Sequence, residues 1–123
     1  MAQVLFDSPE IRREILRLKT FALSNTIDLS NGVPDDYKPV GDDPAHVVVN
    51  GNIRIVYSTE RQPDEKLGLC HHLSVSKQGD GLPNPEIVSA VMEQFGMGNL
   101  RDSNPRMVNV EDGYAVNVLQ PVS

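Results

Sequence analysis

His46-Val47-Val48-Val49-Asn50-Gly51-Asn52-Ile53-Arg54-Ile55-Val56-Tyr57 reads as two strands folded about a tight turn. β-branched residues fill both arms, and Asn50-Gly51 supplies the positive φ angles that a primed two-residue turn demands. Strands joined this tightly run antiparallel, so the segment fixes the character of the sheet around it. Downstream, Ser58 to Gly68 is a polar connector. It leads to a third strand, Leu69-Cys70-His71-His72-Leu73-Ser74-Val75-Ser76-Lys77. Successive side chains of a strand alternate between faces. Leu69, His71, Leu73 and Val75 therefore share one face, and Cys70, His72, Ser74 and Ser76 share the other. The first face is mostly apolar and the second is small and polar.

Upstream, the spacing predicts a helix from about Pro9 to Leu23. Ser8 is a good cap, Pro9 suits the first helical position, and Glu10 faces the positive end of the dipole. Ile11, Ile15, Leu18 and Ala22 recur on one helical face, widened by Leu16 and Leu23. Arg12, Arg13, Arg17 and Lys19 form a solvated face. A second helix begins at Asn84-Pro85-Glu86, carries Ile87, Val88, Val91, Met92 and Phe95 as its apolar stripe, and stops at Gly96. The chain closes with a hairpin from Met107 to Val110 and Tyr114 to Leu119 about Glu111-Asp112-Gly113. The order α-β-β-β-α-β-β predicts an α+β fold, an antiparallel sheet of about five strands with helices on one face.

The chain has 123 residues, a single-domain length. A hydrophobic share of 39% and a charged share of 23% describe a globular chain rather than a disordered one. With aromatics at 5% and no Trp, stacking platforms for bases are scarce. The net charge of -6 repels phosphate backbones, which argues against nucleic acid as a partner. No stretch approaches the roughly 18 apolar residues of a membrane span, and the N-terminal residues lack the pattern of a signal peptide. Cys70 is the sole cysteine, so neither an internal disulfide nor a cysteine-based zinc site is available. A cytoplasmic location is the expectation.

Residues 24–44 form a long acidic loop rich in Gly, Pro, Asn and Asp. Asp28, Asp35, Asp36, Asp42 and Asp43 do not follow the calcium-loop spacing, so no metal is expected there. Catalytic sets are incomplete. His72-Leu73-Ser74 is one half of the paired His-x-Ser arrangement of two-histidine phosphoesterases, and His46 is followed by valines. No Gly-x-Ser-x-Gly elbow is present. Cys70 and His71 point to opposite faces, as do His71 and His72.

His71-His72-Leu73-Ser74-Val75-Ser76 followed by Gly81-Leu82-Pro83-Asn84-Pro85-Glu86-Ile87-Val88 and a closing hairpin resembles a family of uncharacterised small phage and prophage proteins. These carry a His-x-Ser-x-Ser strand and then a Pro-marked helix. The resemblance spans about Val48 to Leu119. It implies a phage setting and the host cytoplasm, where small acidic proteins often counter host defence by sequestering a ligand or inhibiting a protein.

The leading expectation is a non-catalytic protein that binds a small anionic, nucleotide-like ligand through His72, Ser74, Ser76, Lys77, Arg54, Arg101 and Arg106. Arginine forks match phosphate oxygens, and a strand of imidazole and hydroxyls adds donors. No cofactor is expected. An inhibitor or adaptor of a host protein, acting through the acidic surface, ranks second. A phosphoesterase using His72 as acid or base ranks third. The apolar helix stripe and the long loop suggest a homodimer.

Overall fold

The computed structural model describes residues 6–33, 35, 46–49, 51–63, 68–79, 81–100, 103, 105–110 and 113–122. Within them the chain runs α1 (Pro9–Ser24), β1 (Ile27–Asp28), β2 (His46–Val49), β3 (Ile53–Arg61), β4 (Leu69–Gln78), α2 (Pro85–Gln94), β5 (Arg106–Val110) and β6 (Gly113–Pro121). The fold is α+β, as expected. Among the described residues the sheet has six strands in the order β1-β3-β4-β6-β5, with β2 also paired to β3. None of these helices is long and apolar enough to cross a membrane.

The sheet is mixed rather than wholly antiparallel. β1 lies parallel to the far end of β3, with Ile27 opposite Glu60 and Asp28 opposite Arg61. β2 lies antiparallel to the near end, with Val49 opposite Ile53. The two share one edge of β3, while β4 occupies the other. A two-residue strand has no alternation to read, so β1 was hidden at the start of the acidic loop. It is placed instead by long-range bonds. The Thr59 hydroxyl donates to the Ala22 carbonyl at 2.8 Å and lies 2.8 Å from the Thr26 hydroxyl, tying the end of α1 to β3. The Leu29 amide then donates to the Arg61 carbonyl.

The polar connector begins later than expected. Ser58, Thr59 and Glu60 are buried residues of β3, paired with His72, His71 and Cys70. At the β2–β3 turn, Gly51 does adopt positive φ, at 77°, and the Asn52 amide closes onto the Val49 carbonyl. The paired residues Val49 and Ile53 nevertheless enclose three residues rather than two.

Both helices cover one face of the sheet. Ile15, Leu18 and Ala22 of α1, with Val88, Val91 and Met92 of α2 and Phe95 beyond it, pack on Ile53, Ile55, Tyr57, Leu73, Val75, Val116 and Val118. These sheet residues share one parity in each strand, as alternation requires. Fully burying each such side chain contributes about 1.5–3 kcal/mol. Leu16 and Leu23, read from sequence as part of the stripe, stay exposed, as does Phe21. The α2 cap forms as the sequence predicts, Asn84 Oδ1 accepting from the Glu86 amide at 2.9 Å. Ser8 occupies the α1 cap position, but its side chain makes no cap bond.

Candidate functional site

The face of the sheet away from the helices carries the polar residues. Regular ladders without bulges order it into rows. Glu60, Cys70 and Pro121 form one row, and Ser58, His72 and Leu119 the next. His46, Val56, Ser74, Asn117 and Arg106 span five strands in the third. Val48, Arg54, Ser76 and Ala115 make the fourth. Neighbours within a row are about 5 Å apart and same-face rows about 7 Å, within reach of one small molecule.

Glu60 anchors this face. Its side chain is 4% exposed and its Oε1 lies 2.9 Å from Nδ1 of His72, whose side chain is 19% exposed. Oε2 accepts from Gln62 Nε2 at 3.3 Å. A buried carboxylate costs several kcal/mol unless it is paired and hydrogen-bonded, and these contacts offset that cost. They also orient the imidazole, as carboxylates do for functional histidines. Nε2 of His72 has no partner among the described residues.

Beside this pair the hydrogen bonding is incomplete. Ser58 Oγ, directly across from His72, and Asn117 Oδ1, directly across from Ser74, are buried and have no partner among the described residues. Each such atom costs about 1–3 kcal/mol, and an unsatisfied group in a folded protein calls for an explanation such as a ligand or ordered water. Ser74 is buried beside Asn117 in the third row, one row from Ser58 and His72, and Ser76 Oγ sits 3.5 Å from the Arg54 carbonyl, at the limit of a hydrogen bond.

Cys70 shares this face but is not set up as a nucleophile. Burial pushes its thiol up, and the Glu60 charge adds to the effect, so the thiolate is disfavoured. His71 points the other way. It is buried on the helix side, with Nδ1 2.7 Å from the Tyr57 hydroxyl. Of the two adjacent histidines, one is thus a hydrogen-bonded part of the interior and the other belongs to the polar face.

The expected binding residues divide. His72, Ser74, Ser76, Arg54 and Arg106 share the polar face, with Arg106 exposed at the β5 end of the third row. Lys77 has the opposite parity and sits across from Tyr114 on the helix side. Arg101 lies outside the described residues, as do Asp36, Asp42 and Asp43 of the acidic loop. Asp28 serves a local turn, accepting from the Ser30 amide and hydroxyl, which holds its carboxyl below the usual range. Sequence reasoning missed Glu60, Ser58 and Asn117. The available signal was parity: Ser58 and Glu60 continue the alternation of Arg54 and Val56.

No protein-family model matches this chain, and neither a curated protein nor a solved structure matches it.

Proposed function

We propose that this chain is a non-catalytic binding protein for a small anionic, nucleotide-like ligand, held on the face formed by Ser58, His72, Ser74 and Asn117. The observation that carries the reading is the adjacency of these four residues around two buried oxygens that have no partner among the described residues. Hydroxyls and an imidazole suit phosphate oxygens, and Arg54 and Arg106 lie in the neighbouring part of the same face. Asn117 Oδ1 is an acceptor, which an anion does not satisfy; an N–H of a base or an O–H of a ribose does. That combination favours a nucleotide over a simple anion. In the phage setting implied by the His-x-Ser-x-Ser strand, such a protein would sequester a nucleotide signal of host defence.

Calorimetry against cyclic nucleotides and ADP-ribose compounds tests the reading. One class should give saturable heat, and His72→Ala or Ser74→Ala should weaken it about tenfold each, the scale of one charge-assisted hydrogen bond. No heat from any compound defeats it.

A second reading is favoured by the Glu60–His72 contact, since a carboxylate behind an imidazole is the arrangement of a general base. Under that reading bound nucleotide is hydrolysed. Product formation that survives His72→Ala eliminates it.

A further inference from the structure

We propose that ligand capture on this face is coupled to proton uptake by His72, with Glu60 as the positioning residue that enforces the coupling; this rests on the anion-binding reading above. The geometry leaves few alternatives for the imidazole. Nδ1 faces a buried carboxylate at 2.9 Å, so in the neutral ring the single N–H is best placed there. Nε2 then carries a lone pair. A lone pair repels an oxyanion and cannot donate to one. Protonation changes this, because the imidazolium has two N–H donors, one for Glu60 and one for the ligand.

Charge balance points the same way. An anion arriving near buried Glu60 meets a like charge in a poorly hydrated setting. With His72 protonated between them, the two anions share a cation. Among the described residues, the other charged and titratable groups of the face are Arg54 of β3, Cys70 of β4, Arg106 of β5 and His46 of β2. The arginines keep their charge throughout, and the Cys70 thiol is pushed up and away from neutral titration. His46 stands in the third row beside Val56, two strands from Ser74, whereas His72 has the Glu60 carboxylate at hydrogen-bond distance on Nδ1. The helices contribute no charged group to this face, since α1 and α2 pack on the other one.

The consequence is a site that holds its ligand more tightly as pH falls. By linkage, association weakens as pH rises, by about tenfold per pH unit wherever one full proton is taken up on binding. A cyclic mononucleotide such as cyclic AMP is the appropriate probe for a pH scan, because its phosphodiester keeps one negative charge throughout the scan and adds no titration of its own.

Two measurements on the intact chain decide the matter. Nitrogen-15 NMR of the free protein should find neutral His72 as the Nδ1–H tautomer, reverting toward the ordinary Nε2–H form in Glu60→Gln. Calorimetry with the nucleotide panel in buffers of different ionisation heat should show net proton uptake on binding, with tighter binding at the lower pH values of the scan. Glu60→Gln should flatten that pH dependence. An Nε2–H tautomer in the wild-type chain, or binding heat with no proton uptake at any pH, overturns the coupling while leaving the binding site standing. Absence of heat from every probe removes the site and the coupling together.

Discussion

The Tyr57 hydroxyl lies 2.7 Å from Nδ1 of His71, on the side of the sheet opposite the Glu60–His72 pair. Tyr57 also stacks on Phe95, ring centroids 4.2 Å apart, so the pair is fixed from the helix side as well. Burial pushes the Tyr57 phenol up to about 12. It also lowers the His71 imidazole below its usual range, with the Lys19 ammonium adding to the effect. Both groups are therefore neutral at neutral pH. The Tyr57 hydroxyl and His71 Nδ1 share one hydrogen bond, whose donor is set by the tautomer of the ring. Two adjacent histidines thus face different partners, His71 the Tyr57 hydroxyl in the interior and His72 the Glu60 carboxylate on the polar face.

Acid should destabilise the chain through His71. Its value in the folded state is depressed, so the unfolded chain takes the proton first as pH falls. The stability contribution is fully present above the ordinary value of 6.5 and is lost as pH drops through the folded value. Urea unfolding at pH 7.5 and pH 5 should show a lower midpoint at the acid pH, with a similar slope. In His71→Phe the part of the loss due to this residue should vanish. An acid sensitivity identical in the two proteins would show that His71 is not its source.

Alkali acts on the partner with the opposite sign. The Tyr57 value is raised, so its contribution is present below the ordinary 10.0 and lost as pH climbs toward about 12. One of the three tyrosines should titrate late in an absorbance scan, together with loss of near-ultraviolet dichroism. Tyr57→Phe should remove the late step. It should also cost about 1–3 kcal/mol at neutral pH, because His71 Nδ1 is left buried without its hydrogen-bond partner.

The two helix caps should respond differently to alanine. Asn84 Oδ1 accepts from the Glu86 amide, and removing a bond of this kind costs about 1 kcal/mol. That corresponds to a drop of roughly 3–5 °C in a domain of this size. Ser8 makes no side-chain cap bond, so Ser8→Ala should move the melting temperature by less than about 1 °C. Thermal melts of the two variants decide it, and equal losses would contradict the geometry.

Much of this architecture was legible because it is local. Caps, helical stripes and alternation in β4 are written within a few residues of each other, so α1, α2 and the separation of His71 from His72 follow from spacing. The same alternation puts His72, Ser74 and Ser76 on one face; Lys77, expected among them, has the other parity and lies across from Tyr114. What escaped notice is polar and non-local. Ser58-Thr59-Glu60-Arg61 looks like loop by composition, yet β4 spans ten residues and needs a partner of similar length. Pairing with β4 outweighs the polar composition, and it carries Glu60 to His72. Asn117 was overlooked for a related reason: between Val116 and Val118 it reads as a solvent-facing residue of a half-buried strand. Only the ladder shows it opposite Ser74.

Ser58→Ala separates a binding surface from an ordinary interior. In a structural core most buried hydroxyls are bonded, and removing one is costly when it leaves a partner unsatisfied. Ser58 Oγ has no partner among the described residues, so deleting it strands nothing and removes a buried group that costs about 1–3 kcal/mol to leave unpaired. The variant should melt at the wild-type temperature or above it. If the hydroxyl is retained for a ligand, the same variant should bind the nucleotide probe more weakly, by about three- to tenfold. Leu73→Ala provides the contrast: fully buried in the helix-side core, it should lose about 2–5 kcal/mol. Greater stability bought at the expense of affinity is the signature of a functional site. A Ser58→Ala chain that melts well below wild type would instead mean that this oxygen has a structural partner, and the polar face would lose one of its two open positions.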